Sequence, residues 1–245
     1  YQFKAKTKYY LHSPFLYQFY LHVLEGKPEH AYHEIEIMRS RNRANYASVQ
    51  VIDYGTGTAT TKRINGIEKN VALRHKYGKL LYRLVSYFKP HSILEIGTSI
   101  GISSSYMALA NVSAKIVSLE GAASLLAVAK QNHEALNIEN IHLVEGDFNA
   151  TLTQVITGFD TLDVVLFDGN HTQKATLNYF KQCLTKVNSN SIFIFDDIYW
   201  SEDMCAAWQQ IKANTQVTLT VDVFQYGICF FRTDRMAKED FVLRY

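Results

Sequence analysis

The sequence predicts an α/β protein: a doubly wound, seven-stranded, mostly parallel sheet whose last strand runs antiparallel, behind a helical N-terminal extension. Three observations predict it. From His91 on, short continuous apolar runs alternate with longer amphipathic stretches, as in strands buried on both faces and covered by helices. Near the end, two apolar runs flank Gln225-Tyr226-Gly227, a spacing for a hairpin, which forces one strand to reverse. Before His91 the apolar spacing is helical and no series of strands is evident.

The elements follow in order. Ser13-Pro14 offers an N-cap and a first-turn proline, Leu16, Phe19, Tyr20 and Val23 continue at helical spacing, and Gly26 closes the helix. A polar helical stretch runs from Glu29 to Asn45, and a helix over Tyr77–Phe88 stacks Leu81, Leu84, Val85 and Phe88 before Pro90 stops it. Five strands are expected at Ser92–Ile96, Lys115–Leu119, Ile141–Val144, Val164–Phe167 and Ile192–Phe195. Helices over Ile102–Ala110, Ala122–Leu136, Thr172–Val187 and Glu202–Ala213 lie between and after them, and the hairpin pairs Val217–Phe224 with Ile228–Arg232. The chain divides into an extension, residues 1–77, and a sheet domain, residues 78–245. Within the extension, Val51-Ile-Asp53-Tyr-Gly55-Thr-Gly57 imitates a strand and glycine loop. Polar, helical sequence over Thr61–Asn70 follows it instead of a second strand ending in an acid, so it reads as a glycine-containing turn.

The most informative segment is Glu95-Ile-Gly97-Thr98-Ser99-Ile-Gly101-Ile-Ser103, a strand end, a small-residue loop and a helix start. Small residues let backbone N–H groups approach a ligand at a helix N-terminus, where negative charge is favoured. The next strand ends in Glu120-Gly121, the place of an acid that holds a ribose diol. The third ends in Gly146-Asp147-Phe148, an acid and an aromatic suited to the edge and face of adenine. Further acids lie beyond the fourth and fifth strands: Asp168-Gly-Asn170-His171, then Asp196-Asp197. Carboxyl ends of strands in such a sheet line one crevice. Acids gathered there repel one another unless a proton or a cation intervenes, and oxygen ligands suit Mg²⁺, Mn²⁺ or Ca²⁺.

These residues together resemble the Rossmann-like class I S-adenosylmethionine methyltransferases. The Gly97–Ser103 loop is similar to that of the catechol and caffeoyl-CoA O-methyltransferases, and the resemblance spans about residues 78–232. It implies S-adenosylmethionine as cofactor, with Glu95, Gly97 and Ser103 around its methionine part and Thr98, Ser99 and Gly101 also binding the cofactor. Glu120 would lie at the ribose, Asp147 and Phe148 at adenine, and Gly121 and Asp168 would also bind the cofactor. The acids also resemble the macrocin-type O-methyltransferases, whose metal ligands match Asp168, Asp196 and Asp197. Where those enzymes carry an acid as general base this chain has Asn170, and His171 is the nearest replacement. With its His12-Ser-Pro-Phe15 opening the chain also resembles a group of bacterial methyltransferase-like proteins that open similarly.

The implied activity is O-methylation of a small-molecule hydroxyl in the cytoplasm, assisted by a divalent metal. Two alternatives stay open: a nicotinamide-dependent oxidoreductase, although the loop supplies only Gly97 and Gly101 of a three-glycine fingerprint, and an idle module that binds the cofactor without turnover. Composition narrows the rest. Cys183, Cys205 and Cys229 are too scattered for a disulfide frame or a zinc site. No apolar run is long enough to span a membrane, and no signal peptide is expected. Residues 1–90 carry 15 basic against 6 acidic side chains, yet no dense basic tract interleaved with aromatics argues for nucleic acid. A homodimer is compatible with the sequence.

Overall fold

The computed structural model describes residues 5–27, 29–53, 58–70, 72–234 and 237–245, and of residues 52 and 53 the backbone alone. In chain order the elements are α1 (Pro14–Phe19), α2 (Ala31–Arg43), β1 (Ser48–Asp53), β2 (Thr58–Arg63), α3 (Ile64–Asn70), α4 (His75–Phe88), β3 (Ser92–Ile96), α5 (Ile102–Ala110), β4 (Lys115–Glu120) and α6 (Ala123–Ala135). They continue with β5 (Ile141–Glu145), α7 (Phe148–Thr157), β6 (Val164–Phe167), α8 (Gln173–Cys183), β7 (Ile192–Phe195), α9 (Glu202–Ala213), β8 (Leu219–Asp222), β9 (Gly227–Phe230) and β10 (Glu239–Val242). The large sheet has the strand order β10-β8-β9-β7-β6-β3-β4-β5. By contact density the chain forms two compact units: residues 1–21, 92–96 and 152–245, and residues 22–91 and 97–151.

In the first unit, β3, β6 and β7 are parallel, with Ile93 opposite Val164 and Val164 opposite Ile192. Every residue of β6, β7, β8 and β9 is buried, the burial expected of apolar strands covered on both faces. Phe167 and Phe195 stack 4.4 Å apart, and Phe180 of α8 and Trp208 of α9 close on Phe195 at 5.7 and 6.1 Å. The helix opening at Ser13-Pro14 is as expected: Ser13 Oγ accepts from Leu16 N, and Phe15 and Phe19 meet Phe230 edge-on at 5.3 and 5.7 Å. The helix passes into a π turn over Tyr20–Leu24.

Two differences from the expected sheet have physical causes. Among the described residues the large sheet has eight strands rather than seven, because Glu239–Val242 adds to β8 in parallel; this short, partly exposed edge strand begins Glu-Asp and offers no apolar run to recognise. The reversed strand is β9, antiparallel to both β7 and β8; it ends the hairpin but not the chain.

In the second unit, Leu80, Leu81, Leu84 and Val85 of α4 are buried, and the helix lies so close to α5 that a Cβ on Gly78 would come within 2.3 Å of the Tyr106 ring. Strands β4 and β5 pair in parallel. The extension is not wholly helical, as its sequence led one to expect. Ser48–Asp53 and Thr58–Arg63 pair antiparallel, and helix α3 starts at Ile64. β2 is exposed throughout and polar, so it lacks the alternation that marks a strand facing a core. Of the glycine-containing turn expected here, Tyr54–Gly57 lie outside the described residues. Helix α7 is the other element without a forecast; Asp147 caps it, its Oδ1 accepting from Asn149 N at 3.1 Å.

Candidate active site

In the second unit, the end of the Glu95–Gly101 segment becomes a tight loop with three left-handed residues, Gly97 (φ 108°), Ser99 (φ 49°) and Gly101 (φ 78°). The first and last are glycines because that conformation penalises a Cβ. Leu119 O accepts from both Gly97 N and Thr98 N at 3.0 Å, and Gly101 N donates to Thr98 O at 2.9 Å. Thr98 Oγ1 and Ser118 Oγ lie 2.5 Å apart, both buried. Ser103 is buried in the first turn of α5. Glu120 reaches back to the loop: Oε2 accepts from Ser99 N at 2.8 Å and Oε1 from Ala122 N at 3.0 Å. Burial pushes its pKa up, and N–H groups of Ala122, Ser99 and Gly121 pull it back. Gly97, Thr98, Ser99, Gly101, Ser103, Glu120 and Gly121 are thus one constellation. Gly146 N donates to Glu120 O at 3.0 Å, which ties the start of α7, with Asp147 as its cap and Phe148 as its first residue, to the same strand end.

In the first unit, Glu95, Asp168, His171, Asp196 and Asp197 come together. Glu95 and Asp196 are buried; Asp168 and His171 are about a quarter exposed. Asp168 N donates to Ile96 O and Asp196 N to Phe167 O, each at 2.9 Å, so the ladder of β3, β6 and β7 aims these residues. Burial raises the Asp168 pKa well above the carboxylate range, and Asp196, Glu95 and Asp197 raise it further. Asp196 is pushed up to about 7 by burial and by Asp197, against hydrogen bonds from Asp168, Gln225 and the Asp197 N–H. Both carboxyls are raised, so the pair holds a proton more readily than isolated acids would. Burial lowers the His171 pKa while Asp197 raises it; His171 Nε2 is 3.6 Å from Asp168 Oδ1, too long for a hydrogen bond. Asn170 and Asp197 both take left-handed backbone, φ 51° and 54°.

One residue escaped the sequence reading. Tyr226, fully buried, lies among the same acids, its pKa raised by burial and then by Asp196, Asp168, Glu95 and Asp197. Gln225-Tyr226-Gly227 had the look of a mere turn, yet it brings an amide to Asp196 and a phenol into the cluster. The donor chemistry of Asp168, Asp196 and Asp197 suits a hard cation. Their arrangement does not: among the described residues no group of three or more His, Cys, Asp or Glu side chains is set to hold a metal ion.

The family model of a methyltransferase domain matches residues 94–198, from the β3 strand to just past Asp197. Residues 94–198 are thus similar to a methyltransferase domain. Three solved structures share the fold of the chain that carries it. An O-methyltransferase from Bacillus cereus, in complex with S-adenosylhomocysteine, is 19% identical over 86% of this chain and 94% of that one, with a TM-score of 0.59. TomG from Streptomyces achromogenes, an O-methyltransferase of tomaymycin synthesis bound to S-adenosylmethionine, is 16% identical over 89% and 95%, TM-score 0.61. The S-adenosylhomocysteine-bound methyltransferase PaMTH1 of Podospora anserina is 16% identical over 91% and 97%, TM-score 0.61. No curated protein matches the chain. Among the described residues no helix is long and apolar enough to cross a membrane.

Proposed function

We propose that the methyltransferase domain transfers the methyl group of S-adenosylmethionine to a hydroxyl of a small-molecule acceptor. The observation that carries this is the Glu120 carboxylate, aimed at the end of its strand by backbone N–H groups from both sides, next to a loop of two left-handed glycines. Each of its oxygens keeps a lone pair for a ribose hydroxyl. Gly97, Thr98, Ser99, Gly101 and Ser103, with Glu95 preceding them in the chain, would take the methionine part, Gly121 the ribose, and Asp147 and Phe148 the adenine. When bound, the cofactor supplies a sulfonium whose methyl carbon is electrophilic.

The rest falls to the chain's own side chains. His171, neutral near pH 7 because burial lowers its pKa, accepts the proton of the acceptor hydroxyl, and the charge of Asp197 steadies the imidazolium that results. Asp168 and Asn170 orient the acceptor oxygen. Tyr199, Trp200 and Phe224, which follow or face this segment, are exposed and offer an aromatic rim for the body of the acceptor. The divalent-ion role of Asp168, Asp196 and Asp197 has donor chemistry in favour and arrangement against, so no step is routed through an ion.

Calorimetry with S-adenosylhomocysteine, with and without Mg²⁺, is the test. Micromolar binding is expected, and absence of heat at millimolar ligand rejects the proposal. Binding of NAD in its place would favour an oxidoreductase.

A further inference from the structure

The turn between β8 and β9 is built on one carboxylate. Asp222, the last residue of β8, is buried, and its two oxygens serve two different segments. Oδ1 accepts from Phe224 N in the turn at 2.8 Å, and Oδ2 accepts from the hydroxyl of Tyr199, just past Asp196-Asp197. The two rings so held lie 6.0 Å apart and 31° from coplanar, and both are exposed. The turn is fastened to the same segment twice more. Ile198 N donates to Gln225 O at 3.3 Å, and the Gln225 side chain hydrogen-bonds Asp196. The ring pair is therefore continuous with the buried acids.

Phe224 carries the inference furthest. Its φ is 75°, in the left-handed region that penalises a bulky side chain. Glycine would take that backbone at no steric cost. The Phe brings little packing in return, since the residue is 48% exposed. Strain that the core does not need points to a use of the ring. We infer that Asp222 is a positioning residue for the acceptor, fixing Tyr199 and Phe224 as a platform on which the flat apolar body of the acceptor lies beside the acids. This rests on the reaction proposed above and goes beyond it by assigning a role to a residue that acts through two others.

The test is calorimetry with 2-naphthol, a flat hydroxyl compound, on protein saturated with S-adenosylhomocysteine, whose own affinity is recorded in parallel. The variants are Asp222→Ala, Asp222→Asn, Tyr199→Phe and Phe224→Gly, with Y199F also placed in the D222A background. D222A should weaken 2-naphthol about tenfold and Y199F about threefold, the range of a lost hydrogen bond. D222N, whose amide can still bond both segments, should recover most of the D222A loss. Y199F should add less than about twofold to D222A, because the hydroxyl has already lost its partner. F224G should weaken 2-naphthol about tenfold through the lost ring contact, without lowering the melting temperature. S-adenosylhomocysteine should stay within about threefold throughout, less than one hydrogen bond's worth. Should D222A fail to fold, Y199F and F224G carry the comparison. Unchanged 2-naphthol affinity in the folded variants, equal weakening of both ligands, or a lower melting temperature in F224G overturns the inference and leaves the cofactor assignment standing. So does wild type that binds S-adenosylhomocysteine but not millimolar 2-naphthol. Wild type that binds neither overturns both.

Discussion

Glu120 and Asp168 are both carboxylates at strand ends, and burial raises the pKa of both, but their neighbours act in opposite directions. Around Glu120 the neighbours are backbone N–H groups, which compensate the charge and fix both oxygens. Around Asp168 they are Asp196, Glu95 and Asp197, which add to the cost of ionisation. The first environment is complete within the protein and suits binding, where a fixed acceptor is wanted. The second is left with charge that a proton must quench, which suits chemistry in which a proton changes hands. Under the function proposed above, the difference divides binding from turnover.

The sharpest way to break that division is His171→Ala. If the acid region serves turnover, methyl transfer to an identified acceptor should fall by about 10²- to 10⁴-fold, the range for a lost general base. S-adenosylhomocysteine affinity measured by calorimetry should stay within about threefold, less than one hydrogen bond's worth. Equal losses in both would mean that the two regions are not functionally distinct. The wild-type rate should decline as pH falls through the lowered pKa of His171, and the variant's residual rate should lack that limb.

The loop region offers a second break, of intermediate size, through pH. Burial holds His133 down to about 4, against about 6.5 for an unfolded histidine. Between those values the unfolded chain binds a proton that the folded chain does not, so stability is lost as pH falls from about 6.5 to 4, by on the order of 3 kcal/mol. The acids of the other region have the reverse sign: raised in the fold, they favour the folded state at low pH and erode it as pH rises. Subtracting the His133→Gln stability curve from wild type, by urea unfolding at each pH, isolates the histidine. Wild-type stability that does not fall relative to that of His133→Gln on acidification would show that His133 is not held neutral.

How much of this the sequence discloses depends on what makes each feature. Buried strands such as Val164–Phe167 and Ile192–Phe195 appear where expected, because a continuous apolar run has few other uses between amphipathic helices. Gly97 and Gly101 stand out because left-handed backbone restricts residue choice. The β1–β2 hairpin and β10 do not, since exposed or edge strands carry polar residues and no pattern. Within the site, acids at strand ends are legible one by one, while Tyr226, Asn132 and His133 are not. Their places arise from what packs against them: Tyr226 from a turn that folds back on Asp196, Asn132 and His133 from the Ile100 and Gly101 positions of the loop before α5.

The smallest expected effect bears on the same contrast. Asp197 lies just before Ser201, and an acid there could have been spent on capping α9 rather than kept for chemistry. The structure gives the cap to Ser201, whose Oγ accepts from Met204 N at 3.2 Å; Asp197 closes the preceding turn through its backbone, its carbonyl accepting from Trp200 N at 2.9 Å. Ser201→Ala should therefore cost about 1 kcal/mol of stability, as for other lost N-caps. Asp197→Asn should leave helix stability unchanged and alter turnover instead. Thermal melts and rates of the two variants separate the roles; a melting-temperature loss in D197N to match S201A would return Asp197 to the helix and remove it from the reacting region.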